Sequence, residues 1–115
     1  MDTKNIYGEE CPIYYVMNII SGKWRLPILW QLSQNGLMRF CDLKRSVIGI
    51  TNMMLTKCLQ ELEINHIIER KQYAEIPPRV EYCLTERGVI LISTLREVKQ
   101  WGEEQYKLFE QNHCV

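Results

Sequence analysis

At 115 residues the chain has room for one domain, and a hydrophobic fraction of 46% with only four prolines excludes a disordered or low-complexity protein. Lys plus Arg and Asp plus Glu number 14 each, so zero net charge gives no bulk attraction to nucleic acid. No run approaches the roughly 18 apolar residues of a membrane span, and the opening MDTKNIYGEE lacks the basic end and apolar stretch of a signal peptide, so a cytoplasmic protein is expected.

In chain order, Pro12 suits a first helical position and starts a helix that carries Ile13, Val16, Met17 and Ile20 on one face before Ser21-Gly22 ends it. A second helix begins near Lys23 or Trp24, tolerates Pro27 in its first turn, and buries Ile28, Leu29 and Leu32 up to the turn at Asn35-Gly36. Leu37 to Arg39 is a short segment able to pair as a third strand. Asp42 to Val47 is a short helical stretch, Ile48-Gly49-Ile50 a turn that uses glycine's backbone freedom, and Thr51 a cap for the helix that follows. That helix ends near Asn65. Two β-rich runs, Ile67 to Tyr73 with His66 at its start and Val80 to Leu84, flank a loop whose Pro77 and Pro78 exclude helix and stiffen a projecting wing. From Thr85, which caps it, a last helix places Leu91, Leu95, Val98 and Trp101 on one stripe, with Gly102 as a site for a bend.

Two helices, a turn and a two-stranded wing in this order are the pattern of a winged helix-turn-helix. The expected fold is mainly α with a small β wing (α+β): a three-helix core plus a two- or three-stranded sheet in one domain spanning 1–115. Its parts are an N-terminal helix over about 12–21, the helix-turn-helix over about 40–65, the wing over about 66–84 and a C-terminal helix over about 85–112. So long an apolar stripe on the last helix exceeds what a small core can cover. The first and last helices are therefore expected to form a two-fold dimer interface.

In the helix after Thr51, the advance of about 100° per residue puts Leu55, Leu59 and Leu62 on the buried side, with Cys58 at its edge. Met53, Thr56, Lys57 and Gln60 face outward, with Asn52 in the first turn. Gln and Asn pair with adenine in a major groove, Thr reaches phosphate or a thymine methyl, and Lys serves phosphate or guanine. Arg79 at the wing's end is a candidate phosphate or minor-groove contact, and Arg39, Lys44, Arg70 and Lys71 are candidates for the flanking backbone. The candidate DNA-binding set is thus Arg39, Thr51, Asn52, Met53, Thr56, Lys57, Gln60 and Arg79. The charge distribution supports it. Residues 23–87 hold ten Lys or Arg against seven Asp or Glu, whereas 1–22 carry one against three and 88–115 three against four.

The segments CPIYYVMNIISGKWRLPILWQL, MRFCDLKR, GITNMMLTKCLQELE and PPRVEYCLTERG, in that order and nearly without gaps, resemble the HxlR-type, MarR-like family of bacterial winged-helix transcription regulators, from Cys11 to Gly102. The resemblance implies a small homodimeric regulator that binds double-stranded operator DNA with one recognition helix and one wing per subunit. Relatives usually carry Lys, Arg or Gln where this chain has Met53, so its operator contacts differ there.

Cysteines at 11, 41, 58, 83 and 114 form no Cys-x-x-Cys pair, which argues against a disulfide framework and a zinc site. No metal or cofactor is expected. Cys11, directly before Pro12, faces the positive end of the first helix, which favours the thiolate, while Glu9 and Glu10 oppose it. The resemblance adds that a Cys-Pro in this setting is shared widely in the family and that several members sense electrophiles or oxidants through it. Cys11 is accordingly the candidate redox-sensing residue, and Cys114 in the tail a candidate to meet it from the other subunit.

A Gly-rich phosphate loop, a paired-carboxylate pattern and a nucleophile with a nearby base are all missing, which disfavours an enzyme. A winged-helix module that binds protein is the alternative to a DNA-binding regulator. The two differ in whether a basic recognition face and wing are needed, and Lys57 and Arg79 favour DNA.

Overall fold

A computed structural model describes residues 11–113. Glu9, Glu10 and Cys114 lie outside them. The elements are α1 (Pro12–Ile20), α2 (Arg25–Asn35), α3 (Phe40–Ser46), α4 (Asn52–Ile64), β1 (Ile68–Tyr73), β2 (Arg79–Leu84) and α5 (Glu86–His113).

Sequence punctuation explains most of the boundaries. Pro12 opens α1, and Ser21 closes it by donating its backbone N–H to Met17 O at 2.8 Å. The helix α2 starts at Arg25 rather than Lys23, because Trp24 takes the cap position and Gly22 turns the chain at φ 100°. The first helix of the helix-turn-helix begins at Phe40, earlier than Asp42. The reason is that the Asp42 carboxylate reaches back to accept from the Arg39 backbone N–H at 3.2 Å, fixing the helix start. That N–H, and then Arg45 at 2.6 Å, hold the exposed Asp42 carboxyl below its ordinary 3.8. Gly49 at φ 91° makes the turn, and Thr51 Oγ1 accepts from Met54 N–H at 3.1 Å to cap α4.

The strands β1 and β2 pair antiparallel from Ile68↔Leu84 to Tyr73↔Arg79. The third strand shrinks to a single bridge, in which Met38 and Tyr82 exchange backbone bonds of 3.0 and 2.8 Å. Beyond Met38 the chain enters α3 at once and leaves no length for a strand. His66 is a turn residue and does not start a strand: it sits in the left-handed region at φ 60°, and β1 begins two residues later. The helix α5 runs unbroken through Gly102.

Ile28, Leu29 and Leu32 of α2, Leu43 of α3, and Leu55, Cys58, Leu59 and Leu62 of α4 form the core with Met38, Val47, Ile50, Ile67, Ile68 and Ile92. Cys58 is buried beside the leucine stripe, and Ile92 is the buried anchor of α5, with Leu91 and Leu95 half-buried beside it. Among the described residues no helix is long and apolar enough to cross a membrane.

The wing and α5 meet at Gly88. A Cβ there would lie 2.2 Å from Ile67 O, the oxygen that also accepts from Thr85 N–H at 3.0 Å, while the Thr85 hydroxyl donates chiefly to His66 O at 2.7 Å. The Thr85 hydroxyl oxygen in turn caps α5 by accepting from Gly88 N–H at 3.0 Å. Backbone faces backbone, so neither side yields cheaply. Gly88→Ala is expected to destabilise the fold by about 2 kcal/mol despite alanine's better helix propensity. Chemical denaturation checks this; an unchanged or raised midpoint would contradict the close approach.

Candidate nucleic-acid interface

The helix α4 is the centre of the candidate interface because its two faces are sharply different. Leu55, Leu59 and Leu62 are at most 2% exposed, whereas Asn52, Met53, Thr56, Lys57 and Gln60 all face outward, Met53 at 83%. Burial of the inner stripe fixes the rotation of the helix and so fixes which side chains project.

Individual hydroxyls are already partly committed. Thr51 accepts from its own helix and keeps its hydroxyl proton to give. Thr56 instead donates that proton to Asn52 O at 2.9 Å, which leaves its methyl group and an oxygen lone pair facing out. A thymine methyl suits Thr56 better than a phosphate, which only accepts.

Gln60 borders an open groove between α4 and the wing, with Thr56, Glu63, Arg70 and Tyr82 also on its walls. Arg70 donates to Gln72 Oε1 at 3.2 Å along the strand. The groove therefore offers an amide and a guanidinium beside one carboxylate. On the other flank of α4, Lys57 lines a smaller depression with Lys23, whose ammonium stands 4.7 Å over the Trp24 ring. Lys23 is a basic neighbour of the reading face that a helix-by-helix reading of the sequence passes over. Its only signal there is the Gly-Lys-Trp turn.

The wing's Arg79 is more constrained than an exposed phosphate contact would be. Its guanidinium sits 4.3 Å from the centroid of the Tyr73 ring, with Nε 3.1 Å from Glu81 Oε1 and Nη2 3.4 Å from Glu75 Oε1. Two carboxylates offset its charge, and the side chain is one-third exposed. Arg39, at the cap of α3, is exposed. The structure thus groups Asn52, Met53, Thr56, Lys57 and Gln60 on α4 with Thr51 at its cap, with Arg79 on the separate wing and Arg39 at the cap of α3.

The thiols divide by burial. Desolvation pushes the thiols of Cys58 and Cys83 up, away from the reactive thiolate. Cys41 is exposed in the first turn of α3, and Cys11 is half-buried at the cap of α1, its carbonyl accepting from Tyr15 N–H at 3.1 Å. Among the described residues no group of His, Cys, Asp and Glu is arranged to hold a metal ion.

Comparison with known proteins agrees with this geometry. The profile of the HxlR-like helix-turn-helix family matches residues 19–110. The uncharacterized HTH-type transcriptional regulator YybR of Bacillus subtilis strain 168 is 40% identical over 111 residues, covering 95% of this chain and 88% of YybR. Among solved structures, the redox regulator HypR in its reduced form superposes with a TM-score of 0.78 at 36% identity, covering 88% of this chain and 99% of HypR. The reduced form of the transcriptional regulator YodB from B. subtilis gives 0.75 at 32% identity, over 82% of this chain and 92% of YodB.

Proposed function

The chain belongs to the HxlR-like helix-turn-helix family, a group of transcriptional regulators rather than enzymes, and from that premise we propose that it acts in the cytoplasm as a homodimer on operator DNA, with Cys11 as its signal-responsive residue. The observation that carries the DNA reading is the two-faced α4: an outer face of Asn52, Met53, Thr56, Lys57 and Gln60 held rigid by a buried leucine stripe.

In this reading α4 enters the major groove, where Gln60 and Asn52 read base edges and Met53 and the Thr56 methyl make apolar contacts with thymine. Lys57, Arg39 and Arg79 face phosphate. Arg79 must then exchange Glu75 for a phosphate oxygen, so Glu75 tunes the wing. A gel shift against the DNA flanking the protein's own gene tests the whole reading. Gln60→Ala is expected to erase discrimination between operator variants at one position, at a cost of about 1 to 3 kcal/mol. Arg79→Ala is expected to weaken binding to every duplex and lower the salt slope by about one, and Glu75→Gln to strengthen binding to every duplex. Unchanged binding in all three variants would mean that the face is wrongly assigned.

Dimerisation follows from uncovered apolar surface. Ile13 is 70% exposed on α1 and Trp101 is 65% exposed on α5, with Met17, Val98 and Leu108 also half or more exposed. Two helices with such faces at opposite ends of one chain are best covered by the same pair from a second copy. Light scattering is expected to give a dimer at micromolar concentration, and Trp101→Glu to shift it toward monomer. A wild-type monomer under these conditions contradicts the assembly.

The redox reading rests on position. HypR has been solved reduced and oxidised, and YodB reduced and after diamide treatment, and in this chain Cys11 caps the helix assigned to the interface. Modification there shifts α1 and with it the separation of the two recognition helices, whose half-sites lie about 34 Å apart. Diamide is expected to lower operator affinity of the wild type and leave Cys11→Ser unaffected. A Cys11→Ser protein that still releases DNA on oxidation would move the sensor elsewhere, with the exposed Cys41 the first alternative.

A further inference from the structure

Arg25 bridges two elements that the functional reading treats separately. Its Nη1 donates to Asn18 O at 2.6 Å and to Ile19 O at 3.0 Å, both in the last turn of α1. Carbonyls at that end of a helix have no partner within it, and α1 carries no basic residue of its own there. Nη2 of the same guanidinium forms an ion pair with Glu61 on α4, immediately after the outward-facing Gln60. Both side chains are largely withdrawn from water, at 23% and 31% exposure. Ile20 is the one buried residue of α1 and Ile19 packs against the core beside it, so apolar packing within the chain holds that helix chiefly by its last turn.

We propose that Arg25 is a positioning residue for DNA recognition, a rigid plane that ties the carbonyl end of α1 to the flank of the recognition helix, so that the placement of α1 sets the placement of α4. The inference rests on the DNA-binding reading above and deepens it. The planar fork is what makes the tie directional, because Nη1 and Nη2 point to two different elements from one rigid group. A lysine in its place is a single point charge on a flexible stem and cannot hold both partners in one geometry. With α1 at the dimer interface, the tie fixes the separation of the two recognition helices, and its visible consequence is intolerance of altered half-site spacing.

The test uses the full chain and the duplex that the wild-type protein recovers from a randomised library, together with the same duplex carrying one extra base pair between half-sites and an unrelated duplex. Arg25→Met and Arg25→Lys are both expected to lose about tenfold or more in affinity for the recovered duplex, a loss comparable to one mismatched base pair. Both are also expected to discriminate less against the inserted base pair, with binding to the unrelated duplex nearly unchanged. The lysine variant keeps the charge and carries the test if the methionine variant fails to fold. Wild-type affinity and spacing preference in Arg25→Lys would overturn the proposal, leaving Arg25 as a surface charge. A uniform loss on all duplexes, in step with a lowered melting temperature, would also overturn it, leaving Arg25 as a structural tie only. Absence of wild-type binding to any duplex would sink the DNA reading itself and this inference with it, and is distinguishable because it appears before any substitution is made.

Discussion

Burial of one stripe of α4 is the constraint from which the rest of the interface follows. Leu55, Leu59 and Leu62 are packed with Ile28, Leu29 and Leu32 of α2 and Leu43 of α3. Each such side chain contributes about 1.5 to 3 kcal/mol relative to exposure, whereas an ion pair as exposed as Lys99 with Glu103 is screened by water and contributes little. Packing therefore decides the rotation of α4, and surface charge does not. Once the inner stripe is fixed, the helical period leaves Asn52, Met53, Thr56, Lys57 and Gln60 no orientation but outward.

Electrostatics then refine what packing has placed. The chain has no net charge, and its cations near the reading face are handled individually. Lys23 lies over Trp24 beside Lys57, Arg70 is tied to Gln72, and Arg79 is stacked on Tyr73 between two carboxylates. Such an arrangement limits indiscriminate attraction to phosphate and leaves more of the binding energy to the face of α4.

Local chemistry was legible in the amino-acid order, and contacts distant in sequence were not. The Thr51 cap, the Gly49 turn, the phase of α4 and the Thr85 cap each depend on neighbours within one turn, and all four appear in the structure. The early start of α3 came from a side chain reaching back three residues, a short-range effect masked by the expectation that Asp42 begins the helix. The approach of Gly88 to Ile67 O and the Arg25 bridge to α1 and Glu61 depend on how elements stack, which no periodicity encodes, whereas the expected pairing of Leu37 to Arg39 beside the wing is met by the single Met38 bridge to Tyr82. Arg79 illustrates the same limit within the candidate site. Its position on the wing and the carboxylates two and four residues away were readable, but the Tyr73 ring it stacks on becomes a neighbour only when β1 and β2 pair.

Hydroxyl-radical footprinting of the wild-type protein on its own promoter region tests the central claim most directly, because it reports geometry and affinity together. Two recognition helices carried by a two-fold dimer predict two protected patches related by a dyad, with centres about one helical turn apart, on one face of the duplex. A single short patch would contradict the dimeric placement, and uniform weak protection that disappears at moderate salt would contradict sequence-specific reading by α4.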